Sequence, residues 1–268
     1  MKRVCDQQQS EVFMKVIFYS DLHLEFGAPF EVPDQDTADV MVLAGDIIVF
    51  TDFFPLEKIV KAWRKPILYI AGNHEYYTRQ PMQDSIARFQ EWAASYPHLR
   101  FLQNEHVTLD GIHFFGGTMW TDFNGNDFFA KRMALKHMND YRMIRFSAGK
   151  KLSPDDNIAL HEEFKTRLLD WFKQPLEGPR VVISHHVPIP SKYDYHRESK
   201  LNAAYTALSM EKIIWEHQPD IWAYGHSHEP DDGMIGKTRV ISNSRGYSKR
   251  DGTFDCMEFD PNGLMIEV

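Results

Sequence analysis

Cysteine is scarce in this chain. Only Cys5 and Cys256 occur, far apart and outside any CxxC spacing, which excludes a disulfide framework and a thiolate zinc site. Positive charge is also short. Lys and Arg total 30 against 38 for Asp and Glu, a net charge of −8, so the broad basic footprint of a phosphate-gripping nucleic-acid binder is missing. No apolar run approaches the ~20 residues that span a bilayer. The opening MKRVCDQQQSEVF has a basic start with no apolar stretch behind it, so no signal peptide is expected. Internal repeats, low-complexity tracts and Pro/Ser linkers are absent as well. The expectation is a soluble, cytoplasmic globular protein with one domain over residues 1–268. A composition that is 43% hydrophobic and 13% aromatic is ample for its core.

What the chain does have is a set of short apolar runs bounded by turn residues, the pattern of buried strands. Five end alike. VIFYS precedes Asp21-Leu22-His23, and VMVLAG precedes Asp46. ILYIAG precedes Asn73-His74-Glu75, RVVIS precedes His185-His186, and IWAYG precedes His226-Ser227-His228. Helical spacing is expected over 54–64, 82–95, Pro154–Phe172 and 202–217, with Ser153 capping the third of these ahead of Pro154. Strands alternating with helices imply right-handed crossovers and largely parallel pairing, with ligand sites beyond the carboxyl ends of the strands. All five polar clusters fall on that edge. Each alone has a plain structural explanation, such as a cap, a turn or a hydrogen-bonded core histidine. Five together, all Asp, Asn or His, do not.

RFLQ, HVTLD and GIHFFGG read as β-segments, with Asp110-Gly111 as a hairpin turn. TRVISNS, FDCMEF and LMIEV read as further strands. β-structure in both halves favours two packed sheets with helices outside. Residues 121–151 are polar and rich in Met and Asn, and are expected to form a partly helical insertion beside the site.

Carboxylate, amide oxygen and imidazole without thiolate suit divalent manganese, iron or zinc. Two aspartates, one asparagine and four histidines exceed the needs of one ion and fit two ions sharing a carboxylate. Two metals about 3.5–4 Å apart can activate a water for in-line attack at phosphorus. A further histidine can protonate the departing oxygen.

Asp21-x-His23, Gly45-Asp46, Gly72-Asn73-His74-Glu75, a single histidine after a strand, and Gly225-His226-x-His228 occur in this order. In that order they resemble the calcineurin-like metallophosphoesterase family, over most of the chain. The resemblance implies a four-layer α/β/β/α sandwich of two mixed sheets flanked by helices, two divalent ions, and hydrolysis of a phosphoester. It implies that Asp21, His23 and His228 hold one ion, that Asn73, His185 and His226 hold the other, and that Asp46 bridges them. His74 would be the acid for the leaving group, and His186 a neighbour in the site wall. Tracts similar to GTMWTDF, NDYRMIR and SNSRGY occur in single-domain bacterial and phage members.

Two features set the chain apart from the protein-phosphatase branch of that family. Val49 stands where a second acid would fall in GDIIVFTD, and Ile70-Ala71 replace an arginine ahead of GNHE. The expected substrate is therefore a small or nucleotide-like phosphoester, a diester slightly ahead of a monoester, attacked by a metal-activated water. The alternatives are a nuclease acting on DNA or RNA, which the acidic charge disfavours, and a catalytically silent binding or scaffold protein. No membrane partner is expected. Arg142, Arg145 and Arg245 are candidate phosphate contacts, and Tyr76 and Tyr77 candidate pocket residues. His98, His106, His113, His137, His161 and His217 receive no role.

Overall fold

The computed structural model describes residues 13–190 and 199–268. The N-terminal stretch on which the absence of a leader was read, and Cys5 with it, lie outside the described residues. Strands β1 (Lys15–Tyr19), β2 (Val40–Ala44), β3 (Ile67–Ile70) and β4 (Leu99–Phe101) run parallel. The remaining strands are β5 (Glu105–Leu109), β6 (Ile112–Gly117), β7 (Arg145–Ser147), β8 (Lys150–Lys151), β9 (Arg180–Ser184), β10 (Ile221–Tyr224), β11 (Asp231–Ile235), β12 (Thr238–Ser242) and β13 (Leu264–Glu267). One sheet has the order β13-β1-β2-β3-β4, the second β11-β12-β10-β9-β6-β5, and β7 and β8 form a separate pair. In the second sheet β6, β9, β10 and β12 are parallel, while β5 and β11 close its edges antiparallel. Antiparallel β13 closes one edge of the first sheet.

The two-residue period of a strand divides the core into layers. Val16, Phe18, Val42 and Leu68 of the first sheet meet Phe114, Val181, Ile183 and Ala223 of the second in one apolar seam. Their sequence neighbours Ile17, Leu43 and Tyr69 face outward against the helices Phe54–Ala62 and Met82–Ala93. Phe115, Val182 and Trp222 face the other way, against the helices Pro154–Phe172 and Ser209–His217. Helices, sheet, sheet, helices: the expected four-layer sandwich is present. Ser153 caps the third helix in a reciprocal capping box with Asp156. The hairpin at Asp110-Gly111 joins β5 to β6, with Leu109 opposite Ile112.

Two local expectations fail. The helix expected over 202–217 begins only at Ser209, after a 3-10 turn at Lys200–Ala204. Between them Thr206 bridges to Val187, and the Ala207 N–H donates to the Val187 carbonyl, so this backbone serves β-type pairing. FDCMEF is irregular apart from one bridge between Phe254 and Ser248, because its Asp255 is drawn to the backbone and side chains of the loop opposite. Within 121–151, Phe123–Asn126 forms a left-handed turn, helices span Phe128–His137 and Asp140–Met143, and Ala134, Tyr141 and Ile144 pack beneath the first sheet's helical side. Among the described residues, no helix is long and apolar enough to cross a membrane.

Candidate metal centre

Both parallel quartets deliver their carboxyl ends to the same rim. β1 leads to Asp21 and His23, β2 to Asp46, and β3 to Asn73 and His74. From the second sheet β9 leads to His185 and β10 to His226 and His228. Sharp reversals at these ends turn the side chains inward. Asp21, His23, Asp46, His226 and His228 have φ values of 52°, 44°, 53°, 72° and 53°, a left-handed conformation that non-glycine residues seldom adopt. Such strain persists only where the surroundings over-determine it, and here the loops interlock. The N–H of Asp21 donates to the Gly45 carbonyl, that of His23 to the Asp46 carbonyl, and that of His226 to both Asp21 oxygens. Glu75 ties the first sheet's loops together. Its buried carboxylate accepts from the N–H groups of Asp46 (2.9 Å), Ile47 (2.8 Å) and Gly72 (2.7 Å) and from the Tyr69 hydroxyl (2.6 Å). Glycine is needed at Gly45 and Gly72 by close approach. A Cβ at Gly45 would lie 2.5 Å from His185 Nδ1, and one at Gly72 would strike the Asp46 carboxylate.

The side chains gather into two groups with Asp46 between them, and His23, Asp46 and His74 form a third, overlapping set. Donor atoms of Asp21, His23 and His228 lie within 4.8 Å of one another, as do those of Asp46, His185 and His226. Asp46 Oδ2 is 3.8 Å from His23 Nε2, and its Oδ1 is 3.3 Å from His185 Nε2, so one oxygen faces each group. Asn73 joins the second group through Oδ1, 3.1 Å from His185 Nε2. His23 Nε2 and His228 Nε2 approach to 3.2 Å, two ring nitrogens aimed at one point. His226 Nε2 is buried with no hydrogen-bond partner, a lone pair in want of an acceptor of electrons.

The far nitrogens of His23, His228 and His185 are held by hydrogen-bond partners, as is usual for ligating histidines. His23 Nδ1 meets Glu25 at 3.0 Å, His228 Nδ1 meets Asp255 at 3.3 Å, and His185 Nδ1 donates to the Ala44 carbonyl at 3.0 Å. Charge is arranged to match. Burial works against ionisation of Asp46, but the neighbouring His185 and His74 outweigh it and hold the carboxyl well below its usual range. Burial, with His186 and His185 alongside, keeps His226 neutral. Neutral imidazoles and ionised carboxylates are the forms that bind cations, so Asp46 and His226 are ready for an ion. At His185 burial opposes charge, but Asp46 outweighs it and raises the ring to about 10, so this histidine must first give up a proton.

His74 reaches toward His23 and Asp46, yet both its ring nitrogens are engaged elsewhere. Nδ1 lies 3.0 Å from Glu25 Oε1 and Nε2 2.9 Å from the Tyr247 hydroxyl, while its ring stacks on Tyr77 at 4.3 Å. Burial opposes its charge, but Asp46 and Glu25 outweigh it and raise the imidazole to about 9. Glu25 is thus the orienting carboxylate that sequence left unidentified. The same oxygen also serves His23.

A cavity of about 280 Å³ opens onto the two groups, lined by Asn73, His74, Tyr77, Asp140, His226 and Tyr247, with His137, Met138, Asn139 and Tyr205 on its flank. Segment 121–151 therefore reaches the rim. The three arginines do not line this cavity. Arg245 is buried with its guanidinium on the Leu22 and Pro29 carbonyls and over the Phe254 ring, where it supports the loops. Arg142 donates to the Lys136 carbonyl, and Arg145 lies in β7 opposite Lys151. His186 sits behind His226, 4.3 Å between ring centroids, bonded to the Thr118 carbonyl. Tyr76 is core, stacked on Trp120, whereas Tyr77 lines the cavity.

Residues 14–230 match the sequence profile described as calcineurin-like phosphoesterase. The chain is 28% identical to an uncharacterized protein of Acanthamoeba polyphaga mimivirus, with 95% of this chain and 99% of that protein aligned. The structure is similar to that of the phosphopantetheinyl hydrolase from Mycobacterium tuberculosis. There the TM-score is 0.68 at 16% identity, over 87% of this chain and 89% of the other.

Proposed function

The chain belongs to the calcineurin-like phosphoesterases, and from that premise we propose that it hydrolyses a phosphodiester with two divalent ions seated on its strand-end residues. The observation that carries the reading is the sharing of Asp46 between two donor groups, one oxygen to each. Asp21, His23 and His228 would hold the first ion, and Asn73, His185 and His226 the second. A donor set of carboxylate, amide and imidazole suits manganese, iron or zinc. When bound, the ions supply the positive charge that activates a water and neutralises the phosphoryl oxygens.

The protein's own groups do the rest. Glu25 fixes His74 through Nδ1, and Nε2 lies on the Tyr247 hydroxyl, a cavity-lining group that a departing oxygen would have to replace. Raised to about 9, the imidazole carries its proton at neutral pH and can release it to the departing oxygen. Asp21 and Asp46, both buried, keep their charge and set the positions of the phosphoryl group's counter-ions.

The diester preference follows from charge. The described groups lining the cavity are carboxylate, amide, imidazole, phenol, hydroxyl and thioether, and none of the three arginines is among them. Beyond the ions and the protonated His74, no described cationic side chain would meet the phosphoryl oxygens, which suits a monoanionic diester better than a dianionic monoester. The likeness to the mycobacterial hydrolase bears on fold alone at this identity.

The test is hydrolysis of bis(p-nitrophenyl) phosphate against p-nitrophenyl phosphate by metal-stripped protein refilled with manganese. Turnover should return with the metal and favour the diester, and Asp46→Ala should abolish it. Failure to bind metal stoichiometrically, or an Asp46→Ala variant that still hydrolyses, defeats the reading. A monoester preference would defeat only its substrate part.

A further inference from the structure

An asparagine ligand poses a problem that aspartate does not, because its oxygen and its NH2 are nearly the same shape. Only the oxygen can face a cation. Something must choose between the two orientations. In this protein Asn73 Nδ2 lies 2.9 Å from Asp140 Oδ1, while Asn73 Oδ1 points to His185 Nε2. Asp140 is 2% exposed, and the same oxygen accepts from the Tyr77 hydroxyl at 2.5 Å. The Tyr77 hydroxyl also lies 3.4 Å from Asn73 Nδ2, and its ring stacks on His74. A carboxylate is acceptor-only, so the NH2 group has one favourable direction and the oxygen is left facing the Asp46–His185–His226 group.

We propose that Asp140 is a positioning residue that turns the Asn73 amide so that its oxygen faces the second ion. Asp140 comes from NDYRMIR, in the turn Asp140–Met143 that follows the helix Phe128–His137. The segment that borders the cavity therefore also sets a ligand of the metal centre, through a residue that touches neither ion. Holding Tyr77 extends the effect to the face of His74. Loss of such an outer partner typically weakens a metal site by about 10–100-fold.

The proposal rests on the two-ion reading and is tested by metal binding. Metal-free wild type, Asp140→Ala, Asp140→Asn, Asn73→Asp and the double variant Asp140→Ala/Asn73→Asp are titrated with manganese by calorimetry. Wild type should take two ions. Asp140→Ala should keep the first ion and bind the second about 10–100-fold more weakly. Asp140→Asn retains a carbonyl oxygen for both donors and should bind near wild type. An aspartate at position 73 has no wrong orientation and would face the Asp140 carboxylate as a like charge, so in that background Asp140→Ala should cost no second-ion affinity and should restore what the repulsion removed. Full second-ion affinity in folded Asp140→Ala overturns the proposal, and so does an equal loss in both backgrounds. Should Asp140→Ala not fold alone, the Asn73→Asp pair still decides by whether folding and binding return. A wild type that binds fewer than two ions counts against the two-ion reading instead. Side-chain amide NMR of metal-free protein then tests the Asp140 bond by itself. Protection of the Asn73 NH2 protons in wild type and its loss in Asp140→Ala are expected, and an unprotected wild-type NH2 overturns the proposal.

Discussion

Replacing Glu75 with glutamine changes one oxygen to an NH2 group and leaves the shape intact, yet it should be among the costlier substitutions in the protein. Each carboxylate oxygen accepts at least two hydrogen bonds. Oε2 takes the N–H groups of Asp46 and Gly72, while Oε1 takes that of Ile47 and the Tyr69 hydroxyl. Whichever way the new amide turns, its NH2 faces two donors, and both stay buried without an acceptor. At about 1–3 kcal/mol for each unmet group, the expected loss is about 2–6 kcal/mol. For a chain of this size that corresponds to a fall in Tm of about 2–4 °C per kcal/mol.

The comparison belongs at pH 8, because burial and the charge of Asp46 raise the Glu75 carboxyl to about 7. Urea unfolding of metal-free wild type, Glu75→Gln and Tyr69→Phe, followed by circular dichroism, reads the difference directly. Tyr69→Phe removes one donor and leaves the carboxylate its N–H partners, so it should cost only about 1 kcal/mol. A Glu75→Gln stability within 1 kcal/mol of wild type (roughly the contribution of a single hydrogen bond), at an unchanged m-value, would refute this account. The loops would then hold their left-handed turns without the carboxylate.

Three further outcomes are expected. Gly72→Ala drives a methyl group into the Asp46 carboxylate, with the Asp46 backbone nitrogen 2.6 Å away, and should abolish manganese binding to both donor groups. Gly111→Ala, at a turn with open space and φ of 83°, should cost stability alone, and equal metal affinities in the two variants would contradict the close-approach argument. In the metal-free protein burial opposes charge on His185, but Asp46 outweighs it and raises the ring to about 10. An ion on Nε2 must displace that proton, so at pH 8 calorimetry in buffers of different ionisation enthalpy should show release of about one proton, with affinity rising toward pH 10. Uptake without proton release would contradict it. Burial holds His161 below its ordinary value, with Nδ1 on the Met119 carbonyl. Its folded value being the lower, stability is full above about 6.5 and is lost as pH falls below, by at most about 1.4 kcal/mol per pH unit. Other buried histidines such as His186 and His226 add the same kind of loss to both proteins, so unfolding of wild type and His161→Gln at pH 7.5 and 5.5 should show a larger loss in wild type, and parallel profiles would exclude it.

Much of the centre was legible because parallel strands place whatever follows them on one rim, and Asp, Asn and His there are short side chains with donor atoms near the backbone. Which residues of VIFY and VMVLA enter the seam between the sheets was not legible, because both faces of these strands are apolar and only the packing assigns Val16 and Phe18 to the seam and Ile17 and Tyr19 to the helical side. The supporting groups were not legible. Glu25 lies two residues beyond His23, where a carboxylate looks like ordinary surface, and its meaning depends on His74 arriving from another strand. Tyr247 and Asp255 come from loops, and His137 from the end of the helix Phe128–His137, whose approach no local pattern records. Arg245 misled for the opposite reason. A guanidinium near a metal rim suggests a phosphate, but this one is turned away from the cavity, with its two terminal nitrogens on the Pro29 and Leu22 carbonyls. The late start of the helix Ser209–His217 was invisible too, since only the position of Val187 reveals that Thr206 and Ala207 have a β-type partner.

Each donor group draws on both sheets. The first unites Asp21 and His23 with His228, and the second unites Asn73 with His185 and His226. The spacing between the sheets thus also sets the distances within each donor group. Residues that set this spacing, such as Val42, Phe114 and Ile183, lie in the seam between the sheets. A methyl group lost or added there would shift the donor atoms from one sheet against those from the other. The packing of the sandwich and the geometry of the donor groups are one problem, solved with the same side chains.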